Sequence, residues 1–161
     1  GRLWHTSNVF YSEPPLRLAE ELVAASRFAE RVFLCNSGAE ANEAAIKLVR
    51  KWATAQGREP ARRVIVTFRG SFHGRTLGTV TATAQPKYQA GYEPLPGGFR
   101  YVDFNDATAL EVAMSSGDVA AVKAAVMTED VARTVHFSRQ LGEVDPVGHE
   151  AVDDVQIYGL G

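Results

Sequence analysis

One passage constrains the fold of this chain more than any other. Residues 32–57 pass from a strand pattern to a long helix pattern through a single tight turn. Val32-Phe33-Leu34-Cys35 is a short apolar run of the kind that forms a buried strand. Asn36-Ser37-Gly38 follows as turn and helix start. Ala41, Ala44, Ala45, Leu48, Trp52 and Ala55 then fall on one stripe of an amphipathic helix. Glu43 and Lys47 stand one turn apart on its polar face, spaced for an ion pair. Gly57 suits the closing position of such a helix. A strand feeding directly into a helix is the repeating unit of α/β layer folds, so an α/β architecture is expected.

The rest of the chain repeats the alternation. Pro14-Pro15 can only begin a helix, and Leu18, Ala19, Leu22, Val23 and Ala25 extend it over roughly residues 15–29. Residues 64–68, Val-Ile-Val-Thr-Phe, form the clearest strand. Residues 76–83 favour strand by propensity, but their periodicity decides nothing. Residues 86–98 read as a loop, rich in proline and glycine. Residues 99–102 read as a strand, Asp106 as the cap of a helix through about Met114, and residues 119–126 as a third strand interrupted by Lys123. Beyond Glu129 the pattern weakens. A length of 161 residues, 45% hydrophobic and 22% charged, suits one domain of ordinary globular composition. The chain opens Gly1-Arg2-Leu3-Trp4 without methionine, as expected of a processed start or an excised piece of a longer chain.

Several function classes are disfavoured at once. Seventeen basic residues face 19 acidic ones, so no basic excess exists to neutralise nucleic-acid phosphates or an anionic membrane surface. The single cysteine, Cys35, excludes a disulfide framework and a thiolate zinc site, and in an apolar run it reads as a small hydrophobe. His5, His73, His136 and His149 share no metal-ligand spacing, so no metal site is expected. No apolar run approaches the roughly 20 residues that span a bilayer. No basic-then-apolar leader opens the chain, so a cytoplasmic protein is expected. Asp153-Asp154 reads as solvated surface. No Walker A loop, nucleophile elbow or Rossmann glycine motif occurs.

Two constellations remain. The first is the helix start at Ser37-Gly38-Ala39. Free backbone N–H groups and the positive end of the helix dipole make such a place a phosphate seat. Ser37 as a plain N-cap, with Glu40 completing a capping box, explains the same residues. The second is Gly70-Ser71-Phe72-His73-Gly74-Arg75-Thr76, directly after the best strand, where open α/β sheets bind ligands. A phenylalanine can stack on a planar ring, and an arginine can grip a carboxylate with two parallel N–H groups. A core phenylalanine, a hydrogen-bonded structural histidine and a surface arginine remain the bland alternatives.

Four runs together resemble the class-III aminotransferases. They are Leu3-Trp4-His5-Thr6-Ser7-Asn8-Val9-Phe10-Tyr11, Asn36-Ser37-Gly38-Ala39-Glu40-Ala41-Asn42-Glu43-Ala44-Ala45-Ile46-Lys47, Ser71-Phe72-His73-Gly74-Arg75-Thr76-Leu77 and Gln85-Pro86-Lys87-Tyr88. The resemblance runs almost continuously from Leu3 to about Val122, and the opening run is most similar to the acetylornithine-type members. It implies part of the large α/β domain of a fold type I enzyme that holds pyridoxal 5'-phosphate (PLP) between two subunits of a homodimer. By the same resemblance Ser37, Gly38 and Ala39 hold the PLP phosphate, Ala39 standing where the family often has threonine. Phe72 falls at the aromatic that stacks on the pyridine ring, and Arg75 where the substrate carboxylate binds. His73 accompanies Phe72 without an assigned role, and residues 76–83 become a helix. The implied reaction moves an amino group from N-acetylornithine to 2-oxoglutarate, in arginine biosynthesis.

The resemblance stops after Gly117-Asp118-Val119-Ala120-Ala121-Val122. There the family continues into a glutamate-proline run, an aspartate that pairs with the pyridine nitrogen, and the Schiff-base lysine. This chain instead reads Lys123-Ala124-Ala125-Val126-Met127-Thr128-Glu129-Asp130. Glu129 matches in residue type, but its neighbours do not. Lys47, Lys51, Lys87 and Lys123 all lie outside the Schiff-base motif, so no catalytic residue is assigned. The expectation is a large-domain portion over 1–122 and an unrecognised tail over 123–161, inactive alone. The alternative is a non-catalytic remnant that binds a phosphate-bearing ligand or a full-length subunit.

Overall fold

The computed structural model describes residues 10–26 and 29–123. The first helix, α1 (Glu13–Ala25), places its two prolines in the first turn, where no intrahelical N–H bond is lost. It starts before Pro15 and stops short of residue 29, because Ser26 turns extended while its N–H still bonds the Leu22 and Val23 carbonyls. None of its residues is buried.

The expected strand at 32–35 does not form. The stretch pairs with no other strand among the described residues, and Phe33 and Leu34 are 61% and 44% exposed. An apolar run records a tendency to leave water. It does not supply the neighbouring strand edge that pairing needs.

Helix α2 (Gly38–Ala55) follows the turn as expected, and Gly57 beyond it takes φ 71°. Its buried face is rotated from the expected stripe. Ala41, Ile46 and Ala53 are buried, while Leu48 is 45% exposed and Ala55 lies at the surface. Sparse alanines define an apolar face poorly, and the larger Ile46 and Val49 win the sheet contact. Glu43 does not form the expected salt bridge with Lys47; its carboxylate accepts a hydrogen bond from Thr76 Oγ1.

Among the described residues the sheet has three parallel strands: β1 (Val64–Phe68), β2 (Phe99–Val102) and β3 (Val119–Lys123), in the order β2-β1-β3. Parallel neighbours need helical crossovers. Helices α3 (Leu77–Ala82) and α4 (Pro86–Gln89) join β1 to β2, and α5 (Ala107–Ser115) joins β2 to β3. Asp106 caps α5 by accepting the Ala109 N–H, as expected. The expected loop at 86–98 contains α4, whose single turn opens at Pro86. The expected third strand is seen through Lys123; its continuation lies outside the described residues, as does the tail.

Alternation along β1 divides the core. Val66 and Phe68 pack with Val102, Leu110, Ala113 and Val119 on one face, whereas Ile65 packs with Ile46 and Ala82 on the other. Each such large aliphatic contributes about 1.5–3 kcal/mol when fully buried. Arg100 closes the α5 side with two bonds to the Asp118 carboxylate, at 2.9 and 2.6 Å. Those bonds, and then one from Ser116, hold the Asp118 carboxyl below its usual range. At the carboxyl end of the central strand the Arg69 N–H donates to the Val102 carbonyl at 2.8 Å, so pairing with β2 continues one residue past Phe68.

Candidate functional site

The loop after β1 turns at Gly70, with φ 76°, and runs back across the carboxyl end of the sheet to Thr76. Local side chains tie it down. The His73 N–H donates to Thr83 Oγ1 at 2.8 Å, and Gln85 Nε2 donates to the Ser71 carbonyl at 2.7 Å. Thr76 caps α3 reciprocally with Thr79, so the threonine-rich stretch is a helix despite its strand propensity.

Helix α2 supplies the other wall. Asn42 Nδ2 donates to the His73 carbonyl at 2.6 Å. The Glu43 carboxylate takes the Thr76 hydroxyl and lies on Gly78, where an added Cβ would come 2.6 Å from its Oε1. Gly74 approaches the first turn of α2 itself. It holds φ 124°, and a Cβ there would meet the Ala39 Cβ at 2.8 Å and Thr79 Oγ1 at 2.7 Å. The two sequence constellations thus meet at Ala39 and Gly74.

At the start of α2, Ser37 Oγ accepts the Glu40 N–H at 3.2 Å. The expected capping box is displaced by one residue, since the Glu40 carboxylate bonds the Asn36 N–H at 2.7 Å and not that of Ser37. Satisfying Asn36 leaves the next donors free. Among the described residues the Gly38 and Ala39 N–H groups have no partner, and a Cβ on Gly38 would meet nothing within 4 Å. Two free N–H groups, a hydroxyl and open space at a helix start suit a phosphate-sized anion. This donor set fits the phosphate of PLP.

Phe72 is half-buried, with Tyr88 edge-on at 6.4 Å. Arg75 is exposed, and its guanidinium carbon lies 4.2 Å from the Tyr88 ring centre and 5.5 Å from that of Phe72. No carboxylate among the described residues forms a salt bridge with it. The expected carboxylate-binding arginine is therefore uncommitted and adjacent to the expected stacking aromatic.

His73 departs from the ordinary structural histidine. It is 1% exposed, and neither ring nitrogen has a partner among the described residues. Burial, and then the charge of Lys123, lower its pKa to about 3, so the ring is neutral. Lys123 ends β3 opposite Thr67, and burial lowers its pKa to about 8. Sequence reasoning missed Asn42, Tyr88 and Lys123 as neighbours of the site. Their proximity arises from the β2-β1-β3 order and from helix packing, which leave no local signal. Cys35 is partly exposed beside the helix start, its Sγ 3.4 Å from the Ser37 carbonyl. A cleft of about 490 Å³ between β2 and α5 shares none of these residues. Its arginines, Arg69 and Arg100, are already paired with Asp103 and Asp118. No helix among the described residues is long and apolar enough to cross a membrane.

Residues 1–136 match the family model "Aminotransferase class-III". Over 122 residues the chain is 83% identical to an acetylornithine aminotransferase of Xanthomonas campestris pv. campestris, covering 76% of this chain and 30% of that protein. A crystal structure of N-acetylornithine aminotransferase from Stenotrophomonas maltophilia K279a aligns with a TM-score of 0.61 and 64% identity, over 76% of this chain and 28% of the other. The ornithine aminotransferase of Toxoplasma gondii, described with partial occupancy of PLP at its active site, aligns with a TM-score of 0.69 and 28% identity, over 74% and 28%. The chain thus spans about 30% of the length of the curated relatives it matches.

Proposed function

The chain belongs to the class-III aminotransferases, and on that premise we propose that it carries the phosphate and carboxylate half-site of an acetylornithine-type enzyme. The approach of Gly74 to Ala39 carries the reading, because it joins an anion-binding helix start to an aromatic and a free arginine. Ser37, Gly38 and Ala39 hold the phosphate through a hydroxyl and two backbone N–H groups. Phe72 stacks on the pyridine ring and Arg75 holds the substrate carboxylate. Bound PLP supplies the electron sink that lets an amino group pass from amino acid to keto acid. The donor and acceptor are N-acetylornithine and 2-oxoglutarate, in arginine biosynthesis, and the setting is a cytoplasmic homodimer.

Residues 1–122 belong to the large-domain portion, Lys123 still ends its third strand, and the sequence after it departs from the family's glutamate-proline run. Residues 1–161 contain no recognisable Schiff-base lysine, so this segment by itself is expected to form no lasting imine with PLP. Purified chain mixed with PLP should give no absorbance band that survives dialysis and disappears on borohydride reduction. Appearance of that band would overturn this expectation. The departure of the sequence at Lys123 favours a second reading, a non-catalytic remnant that binds a phosphate-bearing ligand or pairs with a full-length subunit.

Two substitutions test the site in a full-length enzyme carrying residues 3–122 of this chain. Arg75→Ala should raise the KM of the amino donor about tenfold or more with little loss of PLP, since a charge-assisted pair contributes about 1.5–3 kcal/mol. Phe72→Ala should reverse the pattern and release PLP on dialysis. Equal losses of cofactor and substrate binding in both variants would remove the assigned roles.

A further inference from the structure

Arg75 carries an uncommitted charge, yet its position is defined. An exposed arginine ordinarily samples many rotamers, and fixing it costs entropy. Here its guanidinium carbon lies 4.2 Å from the ring centre of Tyr88, well inside the range of a cation–π contact. Tyr88 also meets Phe72 edge-on at 6.4 Å, so one ring touches both side chains assigned to ligand binding. The Lys87 ammonium lies 4.8 Å from the same ring, which gathers two cations at one place.

Tyr88 is itself held firmly for a residue in a single helical turn. Gln85, just before α4, donates to the Gly70 and Ser71 carbonyls at 3.2 and 2.7 Å. Gln89, at its end, donates to the Val80 and Thr81 carbonyls at 3.2 and 3.1 Å. Two glutamine side chains therefore staple α4 to the Phe72 loop on one side and to α3 on the other. Glu43, an acidic side chain near the loop, is engaged by Thr76 and does not compete for the guanidinium.

We propose that Tyr88 is the positioning residue of Arg75: its ring holds the guanidinium beside Phe72 and leaves the N–H groups free for a substrate carboxylate. The inference rests on the carboxylate role of Arg75 given above. An aromatic face suits the task better than a carboxylate. It attracts the cation without occupying its donors, so binding substrate breaks no existing ion pair.

Nuclear magnetic resonance of the full chain tests the contact without PLP. In the native sequence the Arg75 δ-methylene protons should lie upfield of those of the other arginines, shifted by the Tyr88 ring current. Tyr88→Phe should keep that shift, because the π face remains, and Tyr88→Leu should abolish it. Unchanged backbone amides of Gln85 and Gln89 in Tyr88→Leu would show that α4 persists. Titration with 2-oxoglutarate, followed at the Arg75 Nε–H, should show an affinity about two- to fivefold weaker in Tyr88→Leu than in the other two. The same Arg75 shifts in all three proteins, or the same affinities, would overturn the proposal. A ring-current pattern that behaves as expected, with no response to the keto acid, would support the stack and count against the carboxylate role of Arg75.

Discussion

Gly74→Ala is expected to destabilise the chain by about 2–5 kcal/mol and to separate the two halves of the site. Two costs combine at this position. A φ of 124° is one that L side chains rarely adopt, and the added Cβ would stand 2.7–2.8 Å from Thr79 Oγ1 and the Ala39 Cβ. Neither neighbour can yield cheaply, since Thr79 completes the α3 cap and Ala39 belongs to the first turn of α2. Gly70→Ala is the informative control. That glycine also has positive φ, at 76°, but a Cβ there meets nothing within 4 Å, so a loss of about 1 kcal/mol is expected. Urea denaturation of the two variants measures the difference. Equal midpoints would mean that the Ala39–Gly74 contact does not join the constellations.

The second large effect is a dependence of stability on acid. His73 has a pKa of about 3 in the folded chain against about 6.5 when solvated. Between those values the unfolded chain binds a proton that the folded chain refuses, so stability falls as pH falls through that window. The loss is about 1.4 kcal/mol per pH unit, or about 2 kcal/mol between pH 6.5 and pH 5. His73→Phe should remove this slope at little cost near pH 7, because neither ring nitrogen gives up a bond among the described residues. Urea midpoints for both proteins at pH 7, 6 and 5 should diverge steadily. Parallel profiles would mean that the imidazole is not held neutral by burial.

The two constellations were legible residue by residue. Ser37 does cap α2 and Asp106 does cap α5, because capping is decided within four residues, whereas the helix after Thr76 ran against its strand propensity and was legible only through the family resemblance. The β1 and β2 boundaries were legible for a similar reason, β-branched and aromatic residues being bounded by charge and glycine. The buried face of α2 was not. Six apolar positions, four of them alanine, marked a stripe, but Ala41, Ile46 and Ala53 are the buried ones, and Ile46 packs with Ile65 of the sheet and Ala82 of α3. The run at 32–35 failed in another way, since strand pairing depends on an edge elsewhere in the molecule.

By itself the sequence determined the α/β class, the family and the identity of the motif-bearing residues, since these are properties of local pattern. Only the tertiary structure decided that Gly74 reaches Ala39, that Asn42 and Glu43 clamp the Phe72 loop, and that Tyr88 meets Arg75. The reason is geometric. Local rules fix backbone conformation over a few residues, whereas a shared site depends on strand order and helix packing, which bring distant segments within a few ångströms.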